Sequence, residues 1–177
     1  LAGGGNTLAL TNGSNLDLDA DATGLSTLDV AGTSNLGANV TSTGKQTYTG
    51  AVTLSTGVSL DAGGNDAQFV AGIVGGGNTL ALTNGSNLDL DAAATGLSTL
   101  SVAGTSNLGA NVTSTSTQTY TGAVTVSGAG TRTLTGTAAT FGAGLDGGAI
   151  NLTLNFSGAT AIDNNFTNIA NLVTDAA

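Results

Sequence analysis

The sequence contains no cysteine, histidine, methionine, tryptophan or proline. Without cysteine there are no disulfide bonds, and without cysteine and histidine the usual zinc, haem and iron–sulfur sites cannot form. The same absence removes the commonest general bases and the thiol nucleophile of enzymes. We therefore predict that the chain is not an enzyme and carries no cofactor.

Positive charge is almost as scarce, since only two residues are basic, against eleven acidic ones, and the net charge is −9. Such a chain cannot neutralise a phosphate backbone, so we expect no nucleic acid among its partners. No apolar run approaches the roughly 18 residues that a membrane-spanning helix requires. The first residues also lack the pattern of a signal peptide, so neither a membrane span nor a signal peptide is expected.

One long internal repeat dominates what is present. Residues 3–56 return as residues 75–128 with six differences among the compared positions: Asp21/Ala93, Asp29/Ser101, Gly44/Ser116, Lys45/Thr117, Leu54/Val126 and Thr56/Gly128. A degraded third copy follows, so we divide the chain into unit 1 (1–74), unit 2 (75–138) and a partial, degenerate unit 3 (139–177). Both ends fall inside a unit, and we expect the chain to be an excerpt of a longer repeat array.

Within each unit, apolar and small polar residues alternate with a period of two, as in Leu8 and Leu10 or Leu28 and Val30. This pattern predicts short strands with one buried face, and Gly/Asn clusters between them predict turns. Several apolar residues recur about 20 positions apart, a spacing typical of solenoids, for example Leu8 to Leu28, Leu16 to Leu36 and Leu88 to Leu108.

These spacings predict an all-β fold, one continuous β-solenoid of about eight coils with about 20–24 residues each. Each full repeat would then hold three coils or slightly more. The competing interpretations are a string of small β-sandwiches and disorder.

The runs QTYTGAVTL (46–54) and TQTYTGAVTV (117–126), with GLSTLDVAGTSNLGANVTST (24–43) before the first, resemble the β-strand repeats of very large bacterial exoproteins. These regions are similar to filamentous-haemagglutinin-type adhesins. The resemblance implies a right-handed parallel β-helix that forms the shaft of an extracellular or bacterial cell-surface fibre. It further implies a role in attachment, aggregation or biofilm.

We expect the chain's partners to be further copies of itself, added end to end, or host and cell-surface glycans or proteins. A self-assembling extracellular filament subunit is the first alternative function. The second is an ice-binding solenoid, because threonines alternate along 113–121 and 131–137.

Calcium binding is a further alternative, and its candidate ligands are Asp17, Asp19, Asp89 and Asp91. Residues two apart on a strand lie about 6.8 Å apart, which is wide for one calcium site. Equivalent acids of the two units are expected about three coils, or roughly 14 Å, apart. The simpler expectation is that these carboxylates are solvated on the outer surface, and that Tyr48, Tyr120 and their neighbouring Phe residues fill the core.

Overall fold

The computed structural model describes residues 1–174, and within them every regular element is a β-strand. The strands are short because a Gly-, Asn- or Ser-containing turn follows each group of alternating residues. In chain order they are β1 Leu8–Leu10, β2 Leu16–Leu18, β3 Ala22–Leu25, β4 Leu28–Val30, β5 Ser34–Leu36, β6 Val40–Ser42, β7 Gln46–Tyr48, β8 Val52–Leu54, β9 Val58–Asp61, β10 Asp66–Phe69, β11 Ile73–Val74, β12 Leu80–Leu82, β13 Asn87–Leu90, β14 Ala94–Leu97, β15 Leu100–Val102, β16 Ser106–Leu108, β17 Val112–Ser114, β18 Thr117–Tyr120, β19 Val124–Val126, β20 Thr131–Gly136, β21 Ala138–Phe141, β22 Leu145–Asp146, β23 Asn151–Phe156, β24 Thr160–Ile162, β25 Phe166–Thr167 and β26 Asn171–Thr174.

Every third strand joins the same parallel sheet, so three sheets run along the molecule. Sheet 1 contains nine strands from β1 to β25, sheet 2 contains nine from β2 to β26, and sheet 3 contains eight from β3 to β24. Ala2 adds an isolated parallel bridge to Thr23 at the start of sheet 3. The predicted all-β parallel β-helix of about eight turns is therefore confirmed.

The pairing register confirms part of the predicted spacing and corrects the rest. Leu8 pairs with Leu28, as the sequence spacing predicts. Leu16, however, pairs with Ser34 instead of Leu36, and Leu88 pairs with Ser106 instead of Leu108. At these two positions the offset between coils is 18 residues, two fewer than the spacing of 20 seen in the sequence. Elsewhere the offset between paired strands lies within the predicted 20–24 residues, as between Val58 and Leu80.

Turn length explains the two-residue difference. The turn between β1 and β2 has five residues, 11–15, whereas the equivalent turn of the next coil, between β4 and β5, has three, 31–33. Asn12 and Gly13 take the additional positions with φ of 57° and 74°, a left-handed conformation that Asn and Gly tolerate best. The two additional residues therefore lie in the turn, and the strands keep the same residues facing the core and the solvent.

The sequence repeat does not equal a whole number of turns. Leu8–Leu10 is β1 in sheet 1, and its copy Leu80–Leu82 is β12 in sheet 3. Eleven strands at three per coil make three and two-thirds turns, so each repeat is rotated by a third of a turn relative to the one before. Copied residues therefore lie on different faces of the rod.

The core is a narrow column of apolar side chains from all three sheets. Tyr48 stacks on Phe69 with ring centroids 5.2 Å apart, and Tyr120 stacks on Phe141 at 5.3 Å. All four rings are fully buried, which confirms that they fill the core. Offset stacking of aromatic rings adds about 0.5–1.5 kcal/mol to the stability gained from area burial alone.

Candidate functional site

Two shallow depressions of about 250 and 280 Å³ lie on the outer surface of sheet 1. The first is an acid–amide groove, which we define by Asp66, Asn87, Asp89 and Asn107. The sheet places these side chains on the outer face, because the alternate positions of β13 and β16 carry the buried leucines. The groove therefore follows directly from strand alternation.

In the groove, each carboxylate is bonded to an amide of the next coil. Asn87 Nδ2 donates to Asp66 Oδ1 at 3.1 Å, and Asn107 Nδ2 donates to Asp89 Oδ1 at 2.9 Å. The same arrangement recurs on sheet 2, where Asn35 Nδ2 donates to Asp17 Oδ1 at 2.9 Å. Stacking acid on amide replaces like-charge repulsion between coils by a charge-assisted hydrogen bond.

The calcium candidates are not brought together. Asp17 lies on sheet 2 and its copy Asp89 on sheet 1, three and two-thirds turns further along, which corrects the expected separation of about three coils. Asp91 Oδ2 accepts a hydrogen bond of 3.0 Å from Gln68 Nε2. Asp19 follows β2 and is exposed. Among residues 1–174, no group of three or more acidic, His or Cys side chains is placed to hold a metal ion.

The outer surface of sheet 3 has the opposite character. We call its outward residues between 79 and 142 the hydroxyl face. Thr79, Thr99 and Thr117 lie near one side of it, followed by Ala138, and Ser101, Thr119 and Thr140 run along its middle after Ala81. Thr99 Oγ1 donates to Thr79 Oγ1 at 3.0 Å. The strands β12, β15, β18 and β21 carry no charged residue.

The one-third rotation and two sequence differences together make this face uncharged. Ser101 and Thr117 replace Asp29 and Lys45 of the first unit, which lie on and beside sheet 1. The strands that unit 2 contributes to sheet 3 therefore carry neither of these two charges. The sequence alone does not reveal this uncharged face, because the rotation becomes apparent only when the strands of each repeat are counted.

A buried polar cluster was also missed. The Tyr48 hydroxyl donates to Gln46 Oε1 at 3.1 Å, and Gln46 Nε2 donates to Ser42 Oγ at 3.1 Å and to the Asp61 carbonyl at 2.8 Å. Unit 2 repeats the cluster with Tyr120, Gln118 and Ser114. Burial raises the pKa of both tyrosine hydroxyls far above the ordinary value, because a phenolate would lose its hydration. The sequence signal for this cluster is that Gln46 lies two residues before Tyr48 and therefore faces the core with it.

Arg132 points inward from β20 and is only 7% exposed. Its Nη2 donates to the Ser127 carbonyl at 2.5 Å, while its buried Nε has no hydrogen-bond partner among the described residues. Desolvation lowers the pKa of this guanidinium. Because the buried guanidinium loses its hydration, Arg132 contributes an unfavourable free energy of folding in this part of unit 2.

Comparison with known proteins found no matching family model, no matching curated protein and no matching solved structure. Residues 1–174 include no helix that is long and apolar enough to cross a membrane.

Proposed function

We propose that this chain is a structural shaft segment of a secreted or surface-exposed bacterial adhesin or fibre. The observation that supports this best is the continuity of the sheets across the boundary between units 1 and 2, at residues 74 and 75. Val58 of unit 1 pairs with Leu80 of unit 2, and Ile73 pairs with Ala94. Each unit therefore buries its end against the next, as stacked repeats do.

A shaft also has to present its surface in all directions. The one-third rotation places copied surface residues on successive faces, about 18 Å apart along the axis for three and two-thirds turns. In the proposal, the outward acid–amide pairs keep the rod soluble and do not contact the receptor. The chain itself performs no catalytic step and requires no cofactor.

The test uses the parent fibre on cells and distinguishes whether this segment contributes fibre length or contacts the receptor itself. Deleting residues 75–146 removes one full repeat and should shorten the fibre by about 18 Å, with attachment reduced only as far as reach matters. Replacing Asp89 and Asn107 together by serine should leave attachment unchanged. If the serine variant abolishes attachment while fibre length is preserved, this segment is itself the receptor-binding site and the shaft proposal is wrong.

Ice binding is a second candidate, favoured by the uncharged hydroxyl face. Its stacked threonines offer hydroxyl and methyl groups at the coil spacing of about 4.8 Å, without charges that would disturb an ordered water layer. Thr119→Lys places a charge on this face, and Thr47→Lys places one in the same local sequence on sheet 1. Ice binding predicts thermal hysteresis that only Thr119→Lys removes; no hysteresis in the unmodified chain rejects it.

A further inference from the structure

The turn between β19 and β20, residues 127–130, is a place where unit 2 departs from unit 1 in both length and charge. Val112 pairs with Leu134, just as its copy Val40 pairs with Leu60. Leu134 is therefore the structural counterpart of Leu60, although it lies two residues later in its copy of the repeat. Unit 2 has thus gained two residues at this corner of the rod.

The same shift puts an arginine in place of an apolar core residue. Arg132 lies two residues before Leu134 and so takes the inward position that Val58 has in unit 1. Val58 is 3% exposed and Arg132 is 7% exposed. A guanidinium at a core position is costly unless its charge and its N–H groups are compensated.

The protein compensates little of this guanidinium. Of its five N–H donors, one donates to the Ser127 carbonyl, and the buried Nε has no partner among residues 1–174. Burial alone lowers the pKa of Arg132, with no opposing contribution from a nearby carboxylate. Arg132 therefore keeps an unpaired positive charge and unused hydrogen-bond donors next to the turn.

The turn itself supplies further donors. The φ angle is 82° at Gly128 and 88° at Gly130, whereas Ala129 between them is outside the left-handed region. Such alternation is typical of backbone nests, which bind anions through successive N–H groups. The amides of these three residues donate no hydrogen bond within the described part of the chain. All three residues are exposed, so an anion in solution can reach them.

The guanidinium lies close to this turn. A Cβ at Gly128 would be 2.9 Å from Arg132 Nη2, and a Cβ at Gly130 would meet no atom within 4 Å. Glycine at position 128 therefore allows the guanidinium to approach the turn, and the space beside Gly130 is open. An anion on the turn would meet backbone donors and a positive charge at the same place.

We propose that the turn 127–130 and Arg132 form a binding site for a tetrahedral oxyanion such as phosphate or sulfate. The amides of Gly128, Ala129 and Gly130 donate to the oxygens of the anion, and the guanidinium supplies charge-assisted hydrogen bonds. The anion compensates the buried charge that the protein leaves unpaired. The net charge of −9 does not prevent binding, because salt screens charges beyond about 8 Å at physiological ionic strength. The site goes beyond the shaft role and does not depend on it.

Arg132 is the only arginine of the chain, so its Nε–H gives a single NMR signal that reports directly on the site. Inorganic phosphate is titrated into the isotope-labelled full chain, with sodium chloride keeping the ionic strength constant. We expect saturable shifts of the Arg132 Nε–H signal and of the amide signals of Gly128, Ala129 and Gly130. Methyl phosphate, titrated in the same way, distinguishes the free ion from a phosphate group carried by a larger ligand, and saturable binding of either supports the site.

Two variants remove one positive charge each. Arg132→Met removes it at the site, and Lys45→Gln removes it at an exposed position of unit 1. Arg132→Met should weaken phosphate binding at least about tenfold, whereas Lys45→Gln should leave it within about twofold. Without phosphate, Arg132→Met should melt no lower than the parent, because an unpaired buried charge is lost. The absence of saturable shifts in the parent overturns the proposal, and so does phosphate binding at the turn that survives Arg132→Met.

Discussion

The sharpest stability prediction compares the same leucine in two copies of the repeat. Leu88 contacts coils on both sides, because its strand pairs with β10 and with β16. Among residues 1–174, the strand of Leu16, in the same local sequence, pairs only with β5. Truncation to alanine should therefore cost very different amounts of unfolding free energy at the two positions.

Leu88 is 2% exposed, and Leu→Ala at such a site costs about 3 kcal/mol, which combines lost transfer energy with a cavity. Leu16 is already partly solvated, and we expect Leu16→Ala to cost about 1 kcal/mol. For a chain of this size these values correspond to urea midpoints lowered by about 1.5 M and about 0.5 M. Tyrosine fluorescence is a suitable signal, since Tyr48 and Tyr120 are buried and the chain lacks tryptophan.

The measurement is made at a low protein concentration, so that it reports the unfolding of single chains. Equal midpoint shifts for the two variants would refute the reasoning. They would mean that Leu16 is as enclosed as Leu88, and that stacking order does not determine burial.

Three other predictions follow from the core and the surface rows. Burial raises the pKa of Tyr48 and Tyr120, so the stability that they confer is complete below the unfolded-state pKa of about 10 and falls above it by about 1.4 kcal/mol per pH unit for each tyrosine. The Tyr48→Phe/Tyr120→Phe variant should therefore unfold at a higher pH than the parent when alkaline unfolding is followed by circular dichroism. An unchanged profile contradicts this prediction. Asn107→Asp should place a carboxylate directly beside Asp89 and cost about 1 kcal/mol at neutral pH and low ionic strength, and added salt should reduce this loss. Thr53→Asp, between Asn35 and Val74, is the control, and an equal loss in both variants argues against the charge explanation. Gly122→Ala should lower the melting temperature by several degrees, because the added Cβ would overlap the Gly104 carbonyl oxygen. Gly57→Ala is the control and should be tolerated, because the nearest atom to its Cβ lies 3.8 Å away. Similar melting temperatures for the two variants would refute the close contact between coils at Gly122.

Much of the fold follows from period-two alternation. The inward positions of Leu28, Val30 and Tyr48 were all predictable from parity, because a strand residue and its second neighbour face the same side. The stacking partner was predictable only where adjacent turns have equal length. At Leu16 the two additional residues of the turn 11–15 shift the register, and nothing in the alternation records them.

The surface was less predictable than the core. Asp17 and Asp89 are identical in local sequence, yet they lie on different sheets, because the number of strands in a repeat is not a multiple of three. Their amide partners Asn35 and Asn107 are 18 residues away, at a coil offset that depends on turn length. The acid–amide groove and the hydroxyl face therefore emerge only once every strand has been assigned to its sheet.

The most direct test of the one-third rotation is a distance along one sheet. Thr47 and Thr125 are not copies of each other, yet both lie in the middle of sheet 1 strands, separated by four coil steps through Gln68, Asp89 and Asn107. Spin labels at Thr47→Cys and Thr125→Cys should give a narrow distance distribution with a backbone contribution of about 19 Å, four times the coil spacing. A broad distribution, or a much longer distance, would show that these threonines do not share one sheet and would contradict the three-sheet solenoid.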